Sequence, residues 1–129
     1  RVVISGQNVD ILGLSTMKYA TPATAKRRFP LRGERPGAAF RLGLVHEPSA
    51  VQLLPEGWAG LILAGHTHAG QLHVPRLERP WLPKGSGPYA HGLYQTPAGP
   101  LYVSAGLGES GPRMRFCAPR EAAVFNIRP

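Results

Sequence analysis

The alternation of apolar and polar positions along the chain predicts short strands separated by loops. Apolar runs at Val2–Ile4 and at residues 9–14 flank a break at residues 6–8, so we expect two strands joined by a hairpin or a corner. Two more strands are predicted at Phe40–Val45 and Leu61–Ala64. The run Leu61–Ala64 contains no polar residue, which is typical of a strand buried on both faces.

The rest of the chain predicts little helix and further short strands. Thr21 and Pro22 have the residue types of an N-cap and a first helical position, so we expect a short helix at residues 23–28. A second helical segment is predicted at residues 48–54. Residues 75–90 predict a long loop, residues 92–96 and 101–104 a hairpin, and residues 113–116 and 122–127 the last strands.

Length and composition place the chain among single globular domains. Its 129 residues are 43% hydrophobic, which is too high for a disordered chain. A single cysteine excludes a disulfide scaffold or a four-cysteine zinc module within one chain. No apolar stretch reaches the roughly 18 residues of a membrane helix. We therefore expect a loop-rich domain with short strands.

The charge balance favours an anionic partner. The chain has 15 basic and 7 acidic residues, a formal net charge of +8. A basic module that binds phosphate or nucleic acid without catalysis is therefore one interpretation. Against nucleic acid, the basic residues are spread along the whole chain and no aromatic–basic recognition motif is present.

Two histidines directly after the run Leu61–Ala64 indicate metal chemistry. In extended backbone, the side chains of His66 and His68 point to the same side. Gly65 and Gly70 flank the pair and allow the backbone to turn close to a ligand. Neutral imidazole is a common ligand of zinc, iron, manganese and nickel. The alternative is a pair of surface histidines in a turn.

A third histidine follows the other apolar strand. His46 comes directly after Phe40–Val45, and open α/β sheets present active-site residues at the carboxyl ends of their strands. If the two strands are neighbours, His46, His66 and His68 meet, and three histidines suffice for a mononuclear catalytic zinc. They are too few for a two-metal hydrolytic site, which needs bridging carboxylates. The single aspartate, Asp10, is no obvious candidate.

Four blocks of the sequence resemble the calcineurin-like metallophosphoesterases. Residues 61–71 resemble the family's Gly-His-Thr-His-Gly-Gly-Gln block, with Ala69 in place of a glycine, and residues 44–48 resemble its His-x-Pro block. Residues 89–94 and 101–113 resemble the tail of a bacterial subgroup. The family's Asp-x-His, Gly-Asp-x-x-Asp and Gly-Asn-His-Asp/Glu blocks are absent. By the resemblance these blocks belong to the N-terminal half of the domain, and we expect this sequence to begin after them.

The resemblance implies an α/β fold in which residues 1–129 form the strand-rich C-terminal portion of one metallophosphoesterase domain, an αββα sandwich. It implies hydrolysis of phosphate mono- or diesters by two divalent metal ions, whether Mn, Fe, Zn or Ni. By the same resemblance, His46 and His66 would bind one metal and His68 would help bind the other. Because the carboxylate ligands are missing, we expect the isolated chain to be inactive, and no residue of it is assigned a catalytic or other cofactor-binding role.

The other reactive side chains have weaker interpretations. His73 is expected at the surface or beside the ligands. His91 is expected to be structural, the alternative being the pocket mouth. Arg113 and Arg115 are expected to be solvated, the alternative being phosphate contact. We expect Cys117 to be a buried, inert thiol.

Half of a sheet sandwich would leave an apolar face or a strand edge exposed. We therefore expect a partner, either the missing N-terminal half of the domain or a second copy of the chain. The phosphate ester substrate is the other expected partner. We expect a cytoplasmic or membrane-associated protein without a transmembrane segment in this chain.

Overall fold

The order of the strands makes one mixed sheet. A computed structural model describes residues 2–4, 6–14, 40–72 and 82–127. The strands are β1 (Val2–Ile4), β2 (Gln7–Leu14), β3 (Phe40–Val45), β4 (Leu61–Ala64), β5 (Gly92–Tyr94) and β6 (Leu101–Val103). Their spatial order is β1-β2-β3-β4-β6-β5. The four central strands are parallel and both outer pairs are antiparallel.

The apolar runs predict most of this sheet correctly. The bounds of β1, β3 and β4 agree with prediction, β2 begins two residues earlier, and both expected hairpins form. The predicted segment at 48–54 is a 3₁₀ helix, Pro48–Leu53, and a second one spans His68–Gly70. The strand-rich α/β architecture is confirmed. None of the described helices is long and apolar enough to cross a bilayer.

Two strand predictions near the C-terminus are wrong. Residues 113–116 contribute a single bridge, between Phe116 and Leu72, and residues 122–127 form no strand. Pro112 and Pro119 bracket the first of these segments and have no backbone N–H to donate to a ladder. The predicted helix at 23–28 lies outside the described residues.

The core lies on one face of the sheet. Ile62, Leu101 and Val103 are fully buried there. The indole of buried Trp58 packs against β3 at Gly43, where an added Cβ would lie 2.3 Å from its Cζ3. Burial along β4 alternates, since Ile62 and Ala64 are buried whereas the two leucines are half-buried. The expectation that β4 is buried on both faces is therefore wrong for the described part of the fold.

Candidate functional site

The carboxyl ends of β3 and β4 bring two histidines together. The strands are parallel neighbours, with Leu44 opposite Leu63. His46 follows β3 directly, and His66 follows β4 after one glycine. The amide of Gly65 donates to the carbonyl of His46 at 3.3 Å, which ties the two strand ends. The neighbouring strands required by the sequence argument are present.

The turn after β4 has an unusual backbone. His66, His68, Ala69 and Gln71 have φ of 73°, 51°, 55° and 45°. Non-glycine residues seldom adopt the left-handed region, and such strain tends to collect at functional sites. The turn therefore holds its side chains in an arrangement that an ordinary strand end would not give.

Buried Thr67 stabilises this turn. Its hydroxyl donates to the carbonyl of Ala90 at 2.6 Å and accepts from the amide of Ala69 at 3.2 Å. Its own carbonyl accepts from the amide of Gly70 at 2.8 Å. One threonine thus fixes the turn internally and to the loop before β5.

His46 and His66 form a close pair. Nδ1 of His66 lies 3.1 Å from Nε2 of His46, and the ring centroids are 4.8 Å apart. Nε2 of His66 lies 2.7 Å from the carbonyl oxygen of Lys84. A carbonyl only accepts, so this nitrogen carries the proton and donates. Nδ1 of His66 therefore presents its lone pair to His46.

The separation of the two nitrogens is a hydrogen-bond distance and is also one that two ligands of a single metal ion would have. Nitrogen ligands lie about 2.0–2.1 Å from zinc, so two ligands at angles of about 90–110° are about 2.8–3.4 Å apart. The observed 3.1 Å falls in this range. The carbonyl of Lys84 orients His66 as second-sphere acceptors usually orient a metal-binding histidine.

His68 lies in the same cavity but has different partners. Its Nδ1 is 3.0 Å from the carbonyl oxygen of Gly108. Within the described ranges, no group of three or more His, Cys, Asp or Glu side chains is placed to hold a metal. The structure thus brings His46 and His66 into contact, whereas the ring of His68 contacts the backbone carbonyl of Gly108. Metal binding by the three remains a prediction.

An open cavity of about 540 Å³ lies above the strand ends. Among the described residues, its lining includes His46, His66 and His68 and no carboxylate. The described lining residues are His46, His66, Thr67, His68, Gly70, Gln71, Leu72, Pro83, Ser110 and Pro112. The cavity can admit a small ligand, with imidazoles as its titratable groups.

Gln71 joins the turn to the segment that follows β6. Its side-chain oxygen accepts from the amide of Ser110 at 2.9 Å and its side-chain nitrogen donates to the carbonyl of Pro112 at 2.6 Å. Its backbone carbonyl accepts from the amide of Phe116 at 2.9 Å. Gln71 was noted in the sequence only as part of a motif, without a role of its own.

Glu121 is a structural anchor that the sequence did not indicate. Its carboxylate accepts from the hydroxyls of Tyr102 and Ser104 and, at 2.8 Å, from the amide of Ala105. Nε2 of His91 lies 3.3 Å away, which supports the structural interpretation of that histidine. A single sequence carries no signal for these contacts, because Glu121 lies outside the regular elements and its partners are 16 to 19 residues away along the chain.

These contacts shift two pKa values. Burial alone would raise the pKa of Glu121, but hydrogen bonds from Tyr102, the amide of Ala105 and His91 together hold it below its usual value. The hydrogen bond to Glu121, then burial and the nearby negative charge, raise the pKa of Tyr102 to about 12. The carboxylate is therefore charged, and the phenol neutral, over the physiological range.

The expectations for Arg115 and Cys117 are wrong, and the one for His73 is not tested by the structure. Arg115 is half-buried and bonded to backbone carbonyls, so the expectation of a solvated side chain is wrong for it. Cys117 is exposed, so the expectation of a buried thiol is also wrong. His73 lies outside the described residues.

Sequence comparison finds relatives of one class. The chain is 37% identical over 89 residues to an uncharacterised metallophosphoesterase of Bacillus subtilis (strain 168), covering 69% of this chain and 31% of the relative. It is 41% identical over 88 residues to one from Helicobacter pylori (strain 26695), covering 67% and 23%. A Campylobacter jejuni metallophosphoesterase is 33% identical over 120 residues, covering 92% and 30%. No family model and no solved structure matches.

The fold and site define a strand-rich α/β chain with a histidine cavity at the ends of parallel strands. With these relatives, the chain belongs to the metallophosphoesterase family. The matched region spans 23% to 31% of the length of the three relatives.

Proposed function

We propose that this chain supplies the histidine-bearing part of a two-metal site that hydrolyses phosphate mono- or diesters. The observation that carries the proposal is the 3.1 Å contact between the ring nitrogens of His66 and His46 at neighbouring strand ends. The names of the relatives support a metal-dependent phosphoesterase.

In this proposal each histidine has a defined task. His46 and His66 would hold one divalent ion, and His68 would contribute to the second. When bound, such a pair of ions lowers the pKa of a water molecule that attacks phosphorus and stabilises the phosphoryl oxygens. The chain's own part is to orient its imidazoles, through the carbonyls of Lys84 and Gly108, and to keep the strained turn in place.

The site is incomplete without further polypeptide. A two-metal hydrolase needs bridging carboxylates, and the lining of the described cavity includes neither Asp nor Glu. We therefore infer that residues 1–129 are the C-terminal portion of one calcineurin-like domain. The remainder of that αββα domain would bring the carboxylates, so the isolated chain would have no hydrolytic activity.

An apolar sheet face suggests where the remainder would bind. Strand register puts Leu44, Leu63, Tyr102 and Leu93 in one row on the face opposite the core. Leu44 and Leu93 are 39% and 63% exposed. In a sandwich, the inner faces of two sheets pack together. The N-terminal half of the domain is the partner we propose for this face.

The test restores the missing part. The region of the Bacillus relative that matches this chain is replaced by the corresponding residues of this chain, and hydrolysis of bis(p-nitrophenyl) phosphate is measured with added Mn²⁺. We expect metal-dependent hydrolysis by the chimera, none by the isolated chain, and loss to background in the chimera carrying His66→Ala.

His91→Ala is the matched control, since it removes an imidazole that does not line the cavity. It should leave hydrolysis close to that of the unsubstituted chimera. Hydrolysis that survives His66→Ala would refute the proposed role of the pair. Equal and measurable rates of hydrolysis for the isolated chain and the chimera would refute the proposal that the site of the isolated chain is incomplete.

A further inference from the structure

Arg115 binds the segments around His68. Its guanidinium donates to five backbone carbonyls, those of His68, Ala105, Gly108, Ala118 and Pro119. Nη1 reaches the carbonyl of His68 at 3.4 Å, and Nη2 reaches that of Ala105 at 2.9 Å. One side chain thus joins the histidine turn to the loop after β6 and to the tail.

Counting hydrogens assigns the protonation of His68. Nη2 of Arg115 carries two hydrogens, and the carbonyls of Ala105 and Gly108 accept both. Nδ1 of His68 lies 3.2 Å from Nη2 and 3.0 Å from the carbonyl oxygen of Gly108. The carbonyl of Gly108 can only accept, and both Nη2 hydrogens already have carbonyl acceptors, so the arrangement that gives every group a partner has Nδ1 donating to Gly108. The lone pair of His68 is then on Nε2.

We propose that Arg115 is a positioning residue that holds His68 as its Nδ1–H tautomer and thereby makes Nε2 the metal-binding atom. The metal part of this inference rests on the proposed function. Arg115 acts twice, by fixing the backbone carbonyl of His68 and by fixing the carbonyl of Gly108 to which the ring donates. Second-sphere groups that orient a ligand change metal affinity by about 10–100-fold.

The test reads the tautomer directly. Ring ¹⁵N–¹H correlation spectra of the chain near pH 8, where imidazole is neutral, should show His68 with Nδ1 protonated and Nε2 unprotonated. In Arg115→Ala we expect a mixture of tautomers. In the same variant, the Zn²⁺ concentration at the midpoint of the ¹⁵N chemical-shift change of His68 Nε2 should rise by about 10-fold or more.

Two further variants separate positioning from general destabilisation. Arg113→Ala removes an exposed arginine from the same segment and should change neither readout. Arg115→Lys keeps the cation but cannot bridge as many carbonyls, so it should recover the Nδ1–H tautomer in part. It also serves as the test variant if Arg115→Ala does not fold.

The outcomes separate the two proposals. An Nε2–H tautomer in the unsubstituted chain, or an unchanged tautomer and zinc midpoint when Arg115 is replaced, would overturn the positioning role. If the tautomer depends on Arg115 but zinc shifts no histidine, the positioning role holds and metal binding by the isolated chain fails.

Discussion

Among single residues, the backbone carbonyl partners of His66 and His68 decide which ring nitrogen of each side chain can bind a ligand. The backbone carbonyl of Lys84 accepts a hydrogen bond from Nε2 of His66, and the backbone carbonyl of Gly108 faces Nδ1 of His68. The sequence predicted that His46, His66 and His68 would meet if the two strands were neighbours, because parallel strands end at one edge. In the structure His46 and His66 are in contact and His68 has other partners. The sequence did not predict the carbonyl partners, because they lie in irregular loops distant in sequence.

The hydrogen bond from Tyr102 to Glu121 depends on pH. The pKa of Tyr102 is raised from 10.0 to about 12. A raised pKa means that this group's contribution to stability is complete below pH 10 and is lost as pH rises through about 12. Glu121→Gln should return the pKa of Tyr102 toward 10, because it removes the carboxylate charge and leaves a neutral amide oxygen as a weaker acceptor for the Tyr102 hydroxyl.

A titration of Tyr102 followed by the ¹³C shift of its ring carbon Cζ measures this directly. Tyr89, for which no contact with Glu121 is present in the described chain, serves as the internal reference. An unshifted Tyr102, or one indifferent to Glu121→Gln, would contradict the assigned hydrogen bond.

Among elements, the strands were predictable where apolar runs were continuous. β3 and β4 have the bounds expected from Phe40–Val45 and Leu61–Ala64. The predicted strand at residues 122–127 fails because a run of apolar residues needs a neighbouring strand. In the structure Phe125 instead packs edge-to-face on Tyr102, with ring centroids 4.9 Å apart.

Close packing between β3 and the core gives a stability prediction. A Cβ at Gly43 would lie 2.3 Å from Cζ3 of buried Trp58. Gly43→Ala should therefore lower the free energy of unfolding by about 1–3 kcal/mol, the usual cost of overpacking a core. Urea unfolding followed by Trp fluorescence measures the change.

Gly13→Ala on the adjacent strand is the matched control. Gly13 lies opposite Leu44, one register position from Gly43, and an added Cβ there meets nothing within 4 Å. Its unfolding midpoint should stay the same or rise slightly. Equal destabilisation by both substitutions would contradict the close contact with Trp58.

For the whole molecule, the sheet has a buried face and an apolar face that the described chain leaves partly exposed. Without the proposed N-terminal half, this face should drive self-association of the isolated chain. Leu44→Asp places a charge in the middle of the face and should shift the chain toward monomer in sedimentation velocity.

Val124→Asp is the control for that experiment, because Val124 is 95% exposed on the C-terminal tail. It should leave the association unchanged. A chain that sediments as a monodisperse monomer before any substitution would count against an unfilled interface.

The sequence also predicted the class of protein from four short blocks. They contain the candidate metal-binding histidines and follow one another in the same order as in the family. The sequence could not show how the cavity is closed, because Gly108, Ser110 and Pro112 contribute through backbone groups, which the residue type does not reveal.

A Zn²⁺ titration followed by histidine ring ¹⁵N shifts tests most directly whether His46 and His66 are paired metal ligands. Nε2 of His46 and Nδ1 of His66 should shift together with one midpoint, while His91 stays unshifted. Independent midpoints for the pair, or shifts no larger than those of His91, would contradict this pairing.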